Sequence, residues 1–251
     1  MKNNKRIIEI CVDSVCNALT AQSAGADRIE FCANLPEGGT TPSQAQIEIT
    51  RKELNIKLYV IIRPRGGDFL YNKTEFEIMK SDIHFCGKTG CDGVVIGMLN
   101  SDGSVDKERN SELVKIAKEY SMGVTFHRAF DRCADLFAAL ETIIELGCER
   151  ILTSGGYDSV IEGTEVIRML IKKAAERIII MPGAGVTPEN AACLIQKTGA
   201  KELHGTFRSR FPSSMQYRNK KLSNQNEEYE LLLTDAEKIK ALITAISPIA
   251  T

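Results

Sequence analysis

No apolar run in these 251 residues approaches the roughly 20 that a bilayer span needs, so the sequence offers no membrane-crossing helix. The N-terminus, MKNNKRIIEIC, meets a charge at Glu9 after only two apolar positions and has no signal-peptide core. An excess of one charge is missing too: 32 Lys+Arg stand against 33 Asp+Glu. Nothing in that balance suggests the concentrated basic patch that a nucleic-acid or membrane surface uses. The eight cysteines contain no CxxC pair, and in a chain of this size they read mostly as reduced thiols filling core space. These absences together predict a cytoplasmic protein with no nucleic-acid and no membrane partner.

What is present is a hidden repeat. A helical stretch ends in Gly, followed by a small residue, a charged residue and an apolar run. The copies are Gly25-Ala26-Asp27-Arg28-Ile29, Gly90-Cys91-Asp92-Gly93-Val94, Gly147-Cys148-Glu149-Arg150-Ile151 and Gly199-Ala200-Lys201-Glu202-Leu203. Gly just past a helix takes the left-handed conformation that other residues resist, so each copy marks a helix end and a strand start. The copies lie 65, 57 and 52 residues apart, about two βα units each. Between them fall four unmarked strands, Arg6–Val12, Lys57–Ile62, Gly123–His127 and Arg177–Met181. Eight strands alternating with helices predict one (β/α)8 TIM barrel over residues 1–251, for which the length is normal. A doubly wound open sheet, the rival, usually has fewer strands. Asp135 to Gly147 carries its apolar residues on one helical face. Thr41-Pro42 and Thr187-Pro188 read as N-cap plus first-turn proline, and Thr234-Asp235-Ala236-Glu237 as a capping box opening the last helix. The basic stretch from Arg208 to Lys221 reads as a loop over the barrel mouth.

Helix-facing strand positions must be apolar, so a mid-strand charge reveals which residues face the barrel interior. Glu9 and Cys11 then point inward from the first strand, and Glu30 and Cys32 from the second. By the same logic Arg63, His127, Thr153 and His204 end strands three, five, six and eight, with Glu202 below His204. Unpaired interior carboxylates cost several kcal/mol, so these must meet Arg63, a histidine, water or a metal. A purely structural ion network is one outcome. A site at the carboxyl ends of the strands, where barrel chemistry occurs, is the other.

For such a site, Glu9, Glu30 and His127 are the acid/base candidates. Arg63 and Arg65 flank a proline ahead of two glycines, the makings of an anion clamp, although Arg63 can equally neutralise Glu9 or Glu30. Gly183 and Gly185 after strand seven and His204 with Arg208 after strand eight occupy the places where many barrels hold an anion on backbone N–H groups. Tight turns alone would also explain these glycines. Arg128 and Thr153 complete the candidate binding set. No lysine stands at a strand's C-terminal end, which disfavours a Schiff-base aldolase. Inward Cys11 and Cys32 on adjacent strands are the metal candidates, because paired thiolates select Cu(I) over hard cations. Buried cysteine as a small hydrophobe is the alternative.

The stretches Glu9–Ser14, Gly25–Pro42, Ile62–Asp68, Asp92–Gly97, Val124–Asp131, Leu152–Gly155, Ile180–Gly183 and His204-Gly205 closely resemble the CutC family, from about residue 6 to residue 209. The tail from 210 to 251 looks family-variable. The resemblance implies a TIM barrel, a role in cytoplasmic copper handling, and copper ligation by the residues matching Cys11 and Cys32. Two functions stay open. One is a copper homeostasis protein with Cu(I) as its ion. The other is a lyase or isomerase acting on a small anionic or phosphorylated molecule. A barrel retained as a homo-oligomeric scaffold, self-associating through Phe211 to Tyr217, is a third and less economical reading.

Overall fold

The computed structural model describes residues 6–219, 221 and 229–247. Eight parallel strands form the barrel: β1 Ile7–Val12, β2 Arg28–Phe31, β3 Lys57–Ile61, β4 Gly93–Ile96, β5 Gly123–Phe126, β6 Arg150–Thr153, β7 Ile179–Pro182 and β8 Glu202–Gly205. They are hydrogen-bonded in sequence from β1 to β7, with β8 paired to the other edge of β1. Packing of β7 beside β8 completes the ring. The helices α1 Val15–Ser23, α2 Gln44–Glu53, α3 Lys73–Thr89, α4 Lys107–Glu119, α5 Leu136–Leu146, α6 Thr164–Ala174, α7 Pro188–Thr198 and α8 Ala236–Ile246 follow in order. The repeat holds physically: Gly25, Gly90, Gly147 and Gly199 all adopt positive φ. No helix among the described residues is long and apolar enough to cross a membrane.

Alternate strand residues divide between two environments, as the period of two requires. Ile8, Ile10, Ile29, Phe31, Leu58 and Val60 join the large core between strands and helices. Cys11, Cys32, Tyr59, Ile61 and Val95 form a second, smaller cluster inside the barrel. Below it the interior is ionic. Arg28 bonds Glu9 and Glu202 at once, and Arg150 reaches Glu202 at 3.1 Å and Thr125 at 3.1 Å. Two carboxylates thus meet two guanidiniums, so charge cancels. The Tyr59 ring lies beneath the guanidiniums of Arg28 and Arg150, 5.2 and 5.0 Å from its centroid, and its hydroxyl donates to Glu149 at 2.9 Å. A Cβ at Gly93 would collide with the Tyr59 ring, and one at Gly123 with the Tyr59 hydroxyl and the Glu149 carboxylate.

Three local expectations change. Helix α2 opens at Ser43 rather than Thr41, because Ser43 and Gln46 form a reciprocal capping box. Thr41 instead accepts the Arg63 N–H through Oγ1 at 2.9 Å. The last helix is capped by Asp235, whose carboxylate accepts from Glu237 and Lys238, while Thr234 closes a strand. Arg208 to Lys221 is not simply a loop: β9 Arg208–Pro212 pairs antiparallel with β10 Glu230–Thr234. Residue 220 of that stretch lies outside the described residues. Thr187 and Pro188 open α7 as expected.

Candidate functional site

Strand register assembles the site. Parallel pairing sets Glu9 level with Arg28 on one side and His204 on the other, and Cys11 level with Glu30. Glu9 therefore spans the floor and the mouth of the interior. One carboxylate oxygen takes Arg28, and the other accepts His204 Nδ1 at 2.7 Å. Burial alone would raise the Glu9 pKa, but Arg28 and His204 overcome it and hold the carboxyl at about 2. A Glu9 carboxylate on Nδ1 fixes the ring, leaving Nε2 turned towards Glu30, whose carboxylate oxygen is 3.7 Å away. Glu30 is pushed up, chiefly by burial and further by Glu9. His204 is raised against its burial by Glu30 and Glu9.

The Cys11 and Cys32 sulfurs lie 3.4 Å apart, both buried. The hydrogen bond to Cys32, burial and the nearby Glu30 all keep the Cys11 thiol well above the usual range. Cys11, Glu30 and His204 each present one ligand atom, all within 4.8 Å of one another. The candidate ligand set is thus wider than the cysteine pair. Thiol sulfur and imidazole suit Cu(I), whereas the carboxylate is the hard member of the set.

These groups form the floor of a cavity of about 300 Å³ at the carboxyl ends of the strands. Arg63, His127, Arg128, Gly185, His204 and Arg208 also line it. Arg63 does not neutralise the interior glutamates. Its guanidinium donates to the carbonyls of Glu37, Gly39 and Gly67 at 2.7 to 2.8 Å, so it ties the β2 and β3 loops together. Arg65 is engaged with Asp68 and Glu75 and does not reach the cavity, which removes it from an anion clamp. The Gly183 N–H is already donated to the Thr153 carbonyl, so of the two glycines only Gly185 borders the cavity.

Thr153 is a further correction. Leu152, not Thr153, lines the cavity, and Arg150 shares its parity. Thr153 Oγ1 instead donates to Asp131, which also accepts from Ser154, Gly156 and Arg128. Three residues went unassigned in the sequence: Arg28, Arg150 and Asp131. Arg28 has the parity of Glu30, so the parity rule would have found it.

His127 takes its place from Gly97, where an added Cβ would stand 2.5 Å from the imidazole Cε1 and 3.0 Å from the Ala129 Cβ. Its Nδ1 accepts the Ala129 N–H at 3.1 Å, which puts the proton of the neutral ring on Nε2. Burial, aided by Arg63, lowers its pKa to about 3. Near neutral pH it is therefore a fixed neutral donor rather than a proton carrier. Gly97→Ala should displace the ring and cost about 1–3 kcal/mol in urea unfolding; a change below a few tenths would show that the ring has room to retreat.

Residues 6–209 match the model of the CutC family. A copper homeostasis protein cutC homolog from Homo sapiens is 45% identical over 243 residues, covering 95% of this chain and 88% of that protein. A family protein CutC from Parabacteroides distasonis is 49% identical over 245 residues, 95% of this chain and 100% of its own. A crystal structure of CutC from Streptococcus agalactiae superposes with a TM-score of 0.76 at 36% identity, covering 80% of this chain and 98% of that one.

Proposed function

The chain belongs to the CutC family, and on that footing we propose that it is a cytoplasmic copper-handling protein whose cargo is Cu(I). The observation carrying this reading is the pair of buried sulfurs 3.4 Å apart, with His204 and Glu30 beside Cys11. Two thiolates and an imidazole are a soft donor set; Cys11 and His204 sit on the adjacent strands β1 and β8, and Cys32 directly follows β2. An ion entering through the cavity meets Cys11, Glu30 and His204 on its floor, with Cys32 immediately behind. Glu9 acts one layer down: it orients His204 and keeps Nε2 as the nitrogen available to the ion. Both thiols must give up protons for the ion, and Glu30, hydrogen-bonded to Cys11, is placed to receive one.

The test is a Cu(I) titration of the reduced protein against a competing chelator, with Cys11→Ser/Cys32→Ser and His204→Asn alongside. One tightly held ion is expected, lost in the double variant and weakened at least about tenfold by His204→Asn. Weak binding, or binding indifferent to these substitutions in folded variants, would make copper an indirect partner.

A further inference from the structure

The cavity above the cysteines holds groups that the copper reading does not use. His127 is buried on its wall, and Nε2 has no hydrogen-bond partner among the described residues. Because Nδ1 is occupied as an acceptor, this nitrogen is an N–H donor, and a buried donor left unpaired costs about 1–3 kcal/mol. Arg63 is equally buried and lines the same cavity. Its three partners are neutral carbonyls, its Nε has none, and among the described residues no carboxylate lies within ion-pair distance of it. The Arg63 guanidinium and the His127 ring pack on Phe69 at 5.0 and 4.9 Å, so donor and charge belong to one cluster.

The remaining cations at the mouth are matched. Arg128 pairs with Asp131 at 2.8 Å, and Arg208 faces Asp13 at 3.8 Å. Among the described residues one positive charge is thus left over on this wall, while Glu30 stands on the floor. Leu35, Ile61, Leu152, Val186 and Phe207 supply apolar surface around them. At about 300 Å³ the space is at the small end for ligand pockets.

We propose that this cavity binds a small organic acid with one carboxylate and an apolar body, the carboxylate accepting from His127 Nε2 beside the Arg63 charge. A single uncompensated guanidinium matches one negative charge. A dianion would face Glu30 with its second charge unpaired. The apolar lining matches a hydrocarbon body rather than a polyhydroxylated one. This reading does not depend on copper, and its test uses metal-free protein.

Butyrate, its neutral counterpart butyramide, and inorganic phosphate are titrated into the chelator-treated, reduced full chain, with the ¹⁵N signals of the histidine rings as the readout. Butyrate should shift the His127 Nε2 resonance saturably and bind at least about tenfold more tightly than butyramide or phosphate. His127→Phe, which keeps the ring volume but removes the donor, should lose at least about tenfold in butyrate affinity, followed by ligand-observed NMR. Arg63→Met should lose discrimination between butyrate and butyramide. If that variant fails to fold, the comparison in the natural protein still decides. No saturable butyrate binding, equal binding of butyramide, or unchanged binding in folded His127→Phe overturns the proposal. Tighter binding of phosphate overturns the singly charged class.

Discussion

Arg28→Met is expected to remove about 3–5 kcal/mol of stability, the largest loss from any single substitution inside the barrel. Arg28 is 3% exposed and, among the described residues, is the one bonded to both Glu9 and Glu202, which reach it from β1 and β8. Removing it leaves the Glu9 carboxylate with His204 and the Glu202 carboxylate with Arg150, both deep in the interior. The cost is chiefly that of a buried charge stripped of its partner rather than of a lost bond. Against a typical total of about 5–15 kcal/mol, such a loss leaves little reserve. Urea unfolding of Arg28→Met, Glu202→Gln and the double variant measures it. The double variant should be less destabilised than the sum, because neutral Gln needs no counter-charge. Arg28→Lys should rescue only partly, since an ammonium cannot present two guanidinium edges to two carboxylates. A loss under about 1 kcal/mol would mean that water reaches these glutamates and that the network is not closed.

The second large effect is a pH dependence set by His127. Its folded pKa of about 3 lies below the ordinary value of 6.5. Between those values the unfolded chain binds a proton that the folded chain refuses, so this residue makes stability fall as pH falls. From pH 7 to pH 5 the contribution is on the order of 2 kcal/mol. His204 and Glu30 act in the opposite sense: their raised values add stability that is lost as pH rises through the folded value. Glu9, at about 2, contributes stability lost only below the ordinary carboxylate range and leaves this window untouched. The difference between the natural protein and His127→Gln isolates the histidine. Denaturant unfolding at pH 7 and 5 should show the variant losing about 2 kcal/mol less. Parallel losses in both proteins would mean that His127 is already protonated or hydrated in the fold.

The fold was readable because its signals are local. The four Gly-small-charged copies each force one helix end and one strand start, and each glycine has the positive φ that the pattern demands. Glu9, Cys11, Glu30 and Cys32 were legible as interior residues because a charge cannot face the apolar helix layer. Arg28 and Arg150 escaped notice because each opens a strand, where a charge ordinarily meets solvent. Only register across strands reveals that Arg28 lies level with Glu9. Thr153 does end strand six, but Arg150 and Leu152 carry the inward parity, and one residue reverses the face. The counter-ion role left open for Arg63 is not taken up for a different reason: its side chain serves loop carbonyls instead of the interior. The β9–β10 pairing joins Arg208 to Thr234 across a long separation in sequence, and no local signal reports such a contact.

Tyr59 and the two glycines beneath it have a consequence for how this barrel diverges. The ring fills space that a side chain at position 93 would need, and its hydroxyl, with Glu149, space that one at position 123 would need. Three residues on three neighbouring strands therefore share one volume, and their tolerances are not independent. A lineage can exchange this floor in only one order. Tyr59 must shrink first, at the expense of a transient hole and of the cation–π contacts with Arg28 and Arg150. Only then does Gly93 become free to gain a side chain, and Gly123 also once the Glu149 carboxylate, which a Cβ there would equally meet, swings aside. The reverse order passes through a collision with a buried ring that strands on both sides prevent from moving. Descendants should therefore carry either the large residue with both glycines or a smaller one with filled neighbours, and seldom a mixture.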